Sequence, residues 1–187
     1  MLTAAAYDIH VEQLLERMQR LHAALTVAGI PYRVVGGMAV FIHVFGRDSM
    51  KARLTEDVDA GVFRTDLPRI IEAAERGGFR FRHAAGVDML VDGDKPRAKS
   101  AVHLIFLNEK VRPEYLEPVP DSEPVPTKEG ILIAPVADLV HMKLTSFRLK
   151  DKVHIQDLDS VGLITPEIEN GLSKPLRLRL AEVRASE

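Results

Sequence analysis

Tyr32-Arg33-Val34-Val35-Gly36-Gly37-Met38-Ala39-Val40-Phe41-Ile42-His43-Val44-Phe45-Gly46-Arg47, followed shortly by Leu54-Thr55-Glu56-Asp57-Val58-Asp59-Ala60-Gly61-Val62, decides the reading of this chain. A short β-branched and aromatic segment runs into a glycine pair and then a wholly apolar helical run. Backbone N–H groups at such a helix start are free to face an anion, and a phosphate fits there. Downstream, Thr55, Asp57 and Asp59 alternate with Glu56, Val58 and Ala60. Side chains on a strand repeat every two residues, so both aspartates point the same way. Carboxylates that close resist joint ionisation unless a cation sits between them, and hard ions such as Mg²⁺ take oxygen ligands of this kind. The stretch predicts a metal and phosphate site. The plainer reading is a tight turn at Gly36-Gly37 beside an edge strand whose aspartates face solvent.

The chain has 187 residues, enough for one domain with a real core or a small domain with a helical appendage, but not for two large domains. Its 25 basic and 27 acidic side chains nearly cancel, so no overall field draws it to nucleic acid or to an anionic membrane. No apolar run is long enough to span a bilayer, and the first residues lack a signal peptide's basic start and apolar centre, which predicts a cytoplasmic protein. Without cysteine there are no disulfides or thiolate sites, and Asp, Glu and His are the strong metal ligands.

Helical spacing of Val11, Leu14, Leu15, Met18, Leu21 and Leu25 predicts a first amphipathic helix, ended by Gly29, with His10 and His22 as ordinary surface or boundary histidines. Residues 30–35 read as the first strand and 38–45 as a buried helix carrying His43, a neutral hydrogen-bonded histidine rather than a ligand. Arg47, Lys51 and Arg53 follow in a polar connection, where they reach a phosphate or are simply solvated. Asp66-Leu67-Pro68 opens another helix that stops at Gly77-Gly78. Residues 79–81 and 87–91 are short strand candidates, and after the Asp92-Gly93 turn a polar loop leads back into a strand over 101–107. From 112 to 130 five prolines and no periodicity predict an irregular crossing. A last short strand over 131–134 precedes a helix from Pro135 to Phe147, in which Lys143 falls inside the apolar stripe. A lysine there needs an anion, with Asp57, Asp59 or a bound triphosphate the nearest expected, or else snorkels to the surface. A short helix capped by Thr165 and a terminal helix over 175–183 complete the pattern.

The order strand, Gly-Gly, helix, then Thr55-x-Asp57-Val58-Asp59 resembles the signature of the polymerase-beta-like nucleotidyltransferase superfamily. The resemblance implies that Gly36 and Gly37 hold a triphosphate with Thr55 beside them, and that Asp57 and Asp59 hold Mg²⁺ or Mn²⁺. In that superfamily a third carboxylate usually sits on the returning strand as general base. Here the matching position is His103, expected beside the aspartates and on their side of the sheet. Imidazole is a poor Mg²⁺ ligand and a good base near neutral pH. His103 is thus a base, a ligand for a softer ion, the mark of a site without catalysis, or a satisfied core histidine.

Lys143, Arg148, Lys150, Asp151 and Asp157-Leu158 look like the Lys…Arg…Lys-Asp…Asp-Leu segment of nucleotidyltransferase-like toxins of abortive-infection systems, a likeness that loosely covers residues 30–163. It implies that Lys143 and Arg148 face the phosphates, and by analogy that an antitoxin-like protein partner exists. The residue-level alternative is a solvated, ion-paired helix face. The expected architecture is α/β (α+β): a nucleotidyltransferase-type mixed sheet with flanking helices over 1–130, and a small helical subdomain over 131–187. The expected activity is metal-dependent transfer of a nucleoside monophosphate from a nucleoside triphosphate to an acceptor hydroxyl on RNA, protein or a small molecule. Its competitor is a non-catalytic nucleotide-sensing or protein-interaction module on the same fold.

Overall fold

A computed structural model describes residues 4–55, 57–93 and 101–186, with side chains from Val11 onward. Glu56, the polar loop expected after Asp92-Gly93, and the His10 side chain lie outside this description. In chain order the elements are α1 (Ala4–Val27), β1 (Arg33–Val35), α2 (Gly36–Phe45), β2 (Val58–Val62), a 3₁₀ turn (Arg64–Asp66), α3 (Leu67–Arg76), β3 (Phe79–Ala84) and β4 (Val87–Asp92). They continue with β5 (Val102–Phe106), β6 (Val125–Pro126), β7 (Leu132–Ile133), α4 (Val136–Ser146), α5 (Leu149–Ser160), α6 (Pro166–Gly171) and α7 (Lys174–Ala185).

The strands form one mixed sheet in the order β3-β4-β5-β2-β1-β7-β6. β2 runs antiparallel to β1 and parallel to β5, which sets Val35 and His103 on either side of Asp59. β3 and β4 form a hairpin whose turn at Ala85-Gly86 has positive φ at both residues. Phe79-Arg80-Phe81 and Val87-Asp88-Met89-Leu90-Val91 carry no Asn-Gly or Asp-Gly between them, so the sequence marks two short strands there without the turn that joins them. The crossing after residue 112 is irregular as expected, apart from the two-residue β6 that pairs with β7.

The larger apolar cluster runs from Leu14 and Leu21 of α1 through Val34, Met38 and Val102 to Leu139, Leu158 and Leu180, and Met89, Val91 and Ala101 form a small second one. α2 is covered over most of its apolar surface, since it packs on β1 and β2 and is overlaid by α4 and α5, while Phe45 at its end is exposed. The expected division between residues 130 and 131 falls just before β7, which pairs in parallel with β1. Among the described residues, no helix is long and apolar enough to cross a membrane.

Candidate active site

β1 ends at Val35, and the chain turns at Gly36 with φ +69°, a left-handed conformation natural to glycine. A Cβ at Gly36 would lie 2.0 Å from Oδ2 of Asp59, so the missing side chain is what lets the carboxylate seat against the turn. At Gly37 a Cβ would meet Oγ1 of Thr55 at 2.8 Å and Cε1 of His154 at 3.3 Å. No side chain caps α2, and no acid stands in its first turn. Its N–H groups and the positive end of its dipole are thus available to an anion.

Asp57 stands one residue before β2 and Asp59 within it, and both line a cleft of about 550 Å³. Register places His103 of β5 beside Asp59, and the His103 Nδ1 is 3.2 Å from Asp59 Oδ1. The hydrogen bond to Asp59 raises the imidazole's pKa, burial opposes the rise, and the charges of Asp59 and Asp57 add to it. The two aspartates and His103 therefore face one cleft.

Lys143 of α4 and Arg148 at the start of α5 line the same cleft from the helical side. Lys143 is 6% exposed, and burial lowers its pKa even against the attraction of Asp151. Its anion corrects the expectation. The Nζ pairs with Asp151 at 3.2 Å, whereas Asp59 contributes only a longer-range attraction. Asp151 is fully buried and also accepts from Arg148 Nε at 2.7 Å, the Arg148 backbone N–H at 3.2 Å and Ser146 Oγ at 2.8 Å. Burial alone would raise that carboxyl, but Arg148, Lys143 and Ser146 together hold it at about 2. Asp151 thus fastens Lys143 and Arg148 together. Its role was hidden because its partners are brought together by the sharp turn at Phe147, where φ is +53°.

The remaining candidates separate cleanly. Lys51 donates to the Ser160 carbonyl at 3.0 Å and Arg53 pairs with Asp157 at 2.9 Å, so these two, and Asp157 with them, fasten the connection before β2 onto α5. His43 donates from Nε2 to the Ala134 carbonyl at 2.9 Å, and burial lowers its pKa, as expected of a neutral structural histidine. His154, lying over Gly37, is pushed down to about 4 by burial and then by the Lys143 charge, and is neutral at pH 7. Lys150, part of the segment named from the sequence, also lines the cleft, as does Tyr115, which the sequence reading did not single out.

Among the described residues no group of three or more His, Cys, Asp or Glu side chains is placed to hold a metal ion. Two carboxylates open to a cleft still suit Mg²⁺, which is commonly bound through one or two carboxylates and completed by substrate phosphates and water. The neighbouring glycine turn and uncapped helix supply a place for those phosphates.

No family model and no curated protein matches the chain. Solved structures do. The antibiotic-resistance factor ANT(2'')-Ia in solution aligns with a TM-score of 0.56 at 14% identity, covering 95% of this chain and 94% of its own. ANT(2'')-Ia in complex with adenylyl-2''-tobramycin gives 0.57 at 12% identity, covering 94% and 98%. An antigenic nucleotidyltransferase-like protein from Paracoccidioides brasiliensis gives 0.61 at 18% identity, covering 94% and 89%. The architecture is a nucleotidyltransferase-type fold with the sheet and flanking helices anticipated from the glycine and aspartate motif.

Proposed function

We propose that this protein transfers a nucleoside monophosphate from a nucleoside triphosphate to an acceptor hydroxyl, with release of pyrophosphate. The observation that supports this most is the abutment of the Asp59 carboxylate and the Gly36 turn, with Asp57 and His103 opening on the same cleft. Two acids next to an uncapped helix start suit one substrate group, a phosphate chain carrying a divalent cation. The likeness to the fold of ANT(2'')-Ia, seen in complex with adenylyl-2''-tobramycin, agrees with this reading.

In the proposed reaction the N–H groups at Gly36 and Gly37 receive the triphosphate, with Thr55 beside them. Lys143 and Arg148, held in place by Asp151, neutralise its charge from the opposite wall. Asp57 and Asp59 would hold Mg²⁺ or Mn²⁺, which supplies Lewis-acid stabilisation of charge on the transferred phosphoryl group. His103 donates Nδ1–H to Asp59 in the matching tautomer, leaving Nε2 to accept the acceptor's proton. The acceptor oxygen bonds to the α-phosphorus as the bond from that phosphorus to the β-phosphate bridging oxygen breaks.

The test is incubation of the protein with each α-labelled triphosphate, Mg²⁺ or Mn²⁺, and cell extract. Transfer of label to a macromolecule or small molecule, lost in Asp57→Asn and Asp59→Asn, is expected. Nucleotide binding without transfer under every condition would overturn the proposal in favour of a binding module.

A further inference from the structure

The irregular segment after β5 is a closed loop with its own fastenings. Its two ends are tied together: Asn108 N–H donates to the Val119 carbonyl at 2.8 Å, and Val119 N–H donates to Glu109 O at 2.9 Å. Near its middle, Tyr115 N–H closes a turn onto Arg112 O at 3.0 Å, with Pro113 supplying the fixed φ suited to that turn's second position. Glu117 then clamps the loop to the helical half, accepting from His141 Nε2 at 2.5 Å and from the Ser173 hydroxyl. Loops with joined ends packed by their own side chains are commonly functional.

This fastening holds Tyr115 in the cleft wall, half-buried and within electrostatic reach of Arg148. A nucleoside triphosphate brings a flat apolar base as well as its phosphates, and a base needs a flat partner. Among the described residues, the phenyl and phenol rings lining the cleft are Phe106 and Tyr115. Phe106 is already covered, since the Arg64 guanidinium lies 3.6 Å from its ring centroid and is itself held by Glu109 at 2.7 Å. Tyr115 has no ring partner among the described residues.

We infer that loop 108–119 is the base-binding wall of the cleft, and that the Tyr115 ring is the platform on which the base of the nucleoside triphosphate stacks. This rests on the proposed function. Stacking on an aromatic is tolerant of base identity, so Tyr115 supplies affinity for nucleosides in general rather than choice among the four bases.

The chain has no tryptophan and three tyrosines, of which Tyr115 lines the cleft, so part of the tyrosine emission reports on the site. Titration with ATP, GTP, CTP or UTP should quench part of that emission, and inorganic tripolyphosphate should bind without quenching. In Tyr115→Phe the quench should vanish while nucleotide affinity stays within about threefold. In Tyr115→Ala nucleotide affinity should fall about tenfold or more, with tripolyphosphate affinity unchanged. Unchanged nucleotide affinity in Tyr115→Ala, or an equal loss for tripolyphosphate, would overturn the inference and leave the phosphate site standing. Failure of the unaltered protein to bind either probe would overturn the proposed function and this inference together.

Discussion

Gly36 shows how one absent side chain can shape a site. Alanine there would place a methyl 2.0 Å from the Asp59 carboxylate and would also have to adopt φ +69°. The backbone penalty alone is about 1–2 kcal/mol. Gly36→Ala should therefore lower the melting temperature and also weaken Mg²⁺ binding, because Asp59 must swing away to relieve the clash. Thermal unfolding with and without Mg²⁺ separates the two effects: a destabilised variant with undiminished metal response would break the link between turn and carboxylate. Asp57→Asn and Asp59→Asn should each cost about tenfold or more in calorimetric Mg²⁺ or Mn²⁺ affinity with the fold retained. Equal affinity in both variants would remove the metal from the proposal.

The α4–α5 corner works as a unit. Lys143→Met should weaken triphosphate binding and also cost stability, by less than the roughly 3–5 kcal/mol of an orphaned buried ion, because Arg148 and Ser146 still satisfy Asp151. The corner also has a pH signature. Asp151 sits at about 2 in the folded protein against an ordinary 3.8. A depressed carboxyl contributes stability that is complete above its unfolded value and is lost as pH falls from about 4 toward 2. The contribution is on the order of 2 kcal/mol. Urea unfolding at successive pH values should show this loss, and Asp151→Asn should flatten that part of the profile while lowering stability at neutral pH. A variant that keeps the full acid-limb slope would place the titration elsewhere.

What could be read in advance follows the range of the forces involved. The helices and the shared face of Asp57 and Asp59 are local periodicities, so Leu14, Leu21, Leu139 and Leu144 announce themselves as core. The pairing of Asp59 with His103 needed a sheet order, and a recognised motif supplied the expectation of one. The partner of Lys143 lies beyond the reach of helical spacing, because the left-handed turn at Phe147 folds Asp151 back onto it. For loop 108–119 the prolines marked irregularity and nothing of its closure. Its anchors, Glu117 to His141 and to Ser173, join residues 24 and 56 positions apart, and no periodicity records such contacts.

At the scale of the molecule, the large apolar cluster that spans α1, the sheet and α7 predicts one cooperative unfolding transition rather than separate melting of two halves. Calorimetry showing two resolved peaks would contradict this. Saturating nucleoside triphosphate with Mg²⁺ should raise that one transition through binding to the native state, and Asp57→Asn should abolish the rise. The seating of β7 against β1 has a practical consequence for anyone dividing the gene. A fragment ending at residue 130 would lose the strand that pairs with β1, and with it α4 and α5, which cover α2. It would present a bare strand edge beside an uncovered apolar helix, the combination that invites chains to add to one another. Such a fragment should collect in inclusion bodies, and co-expression of residues 131–187 as a separate piece should return it to solution.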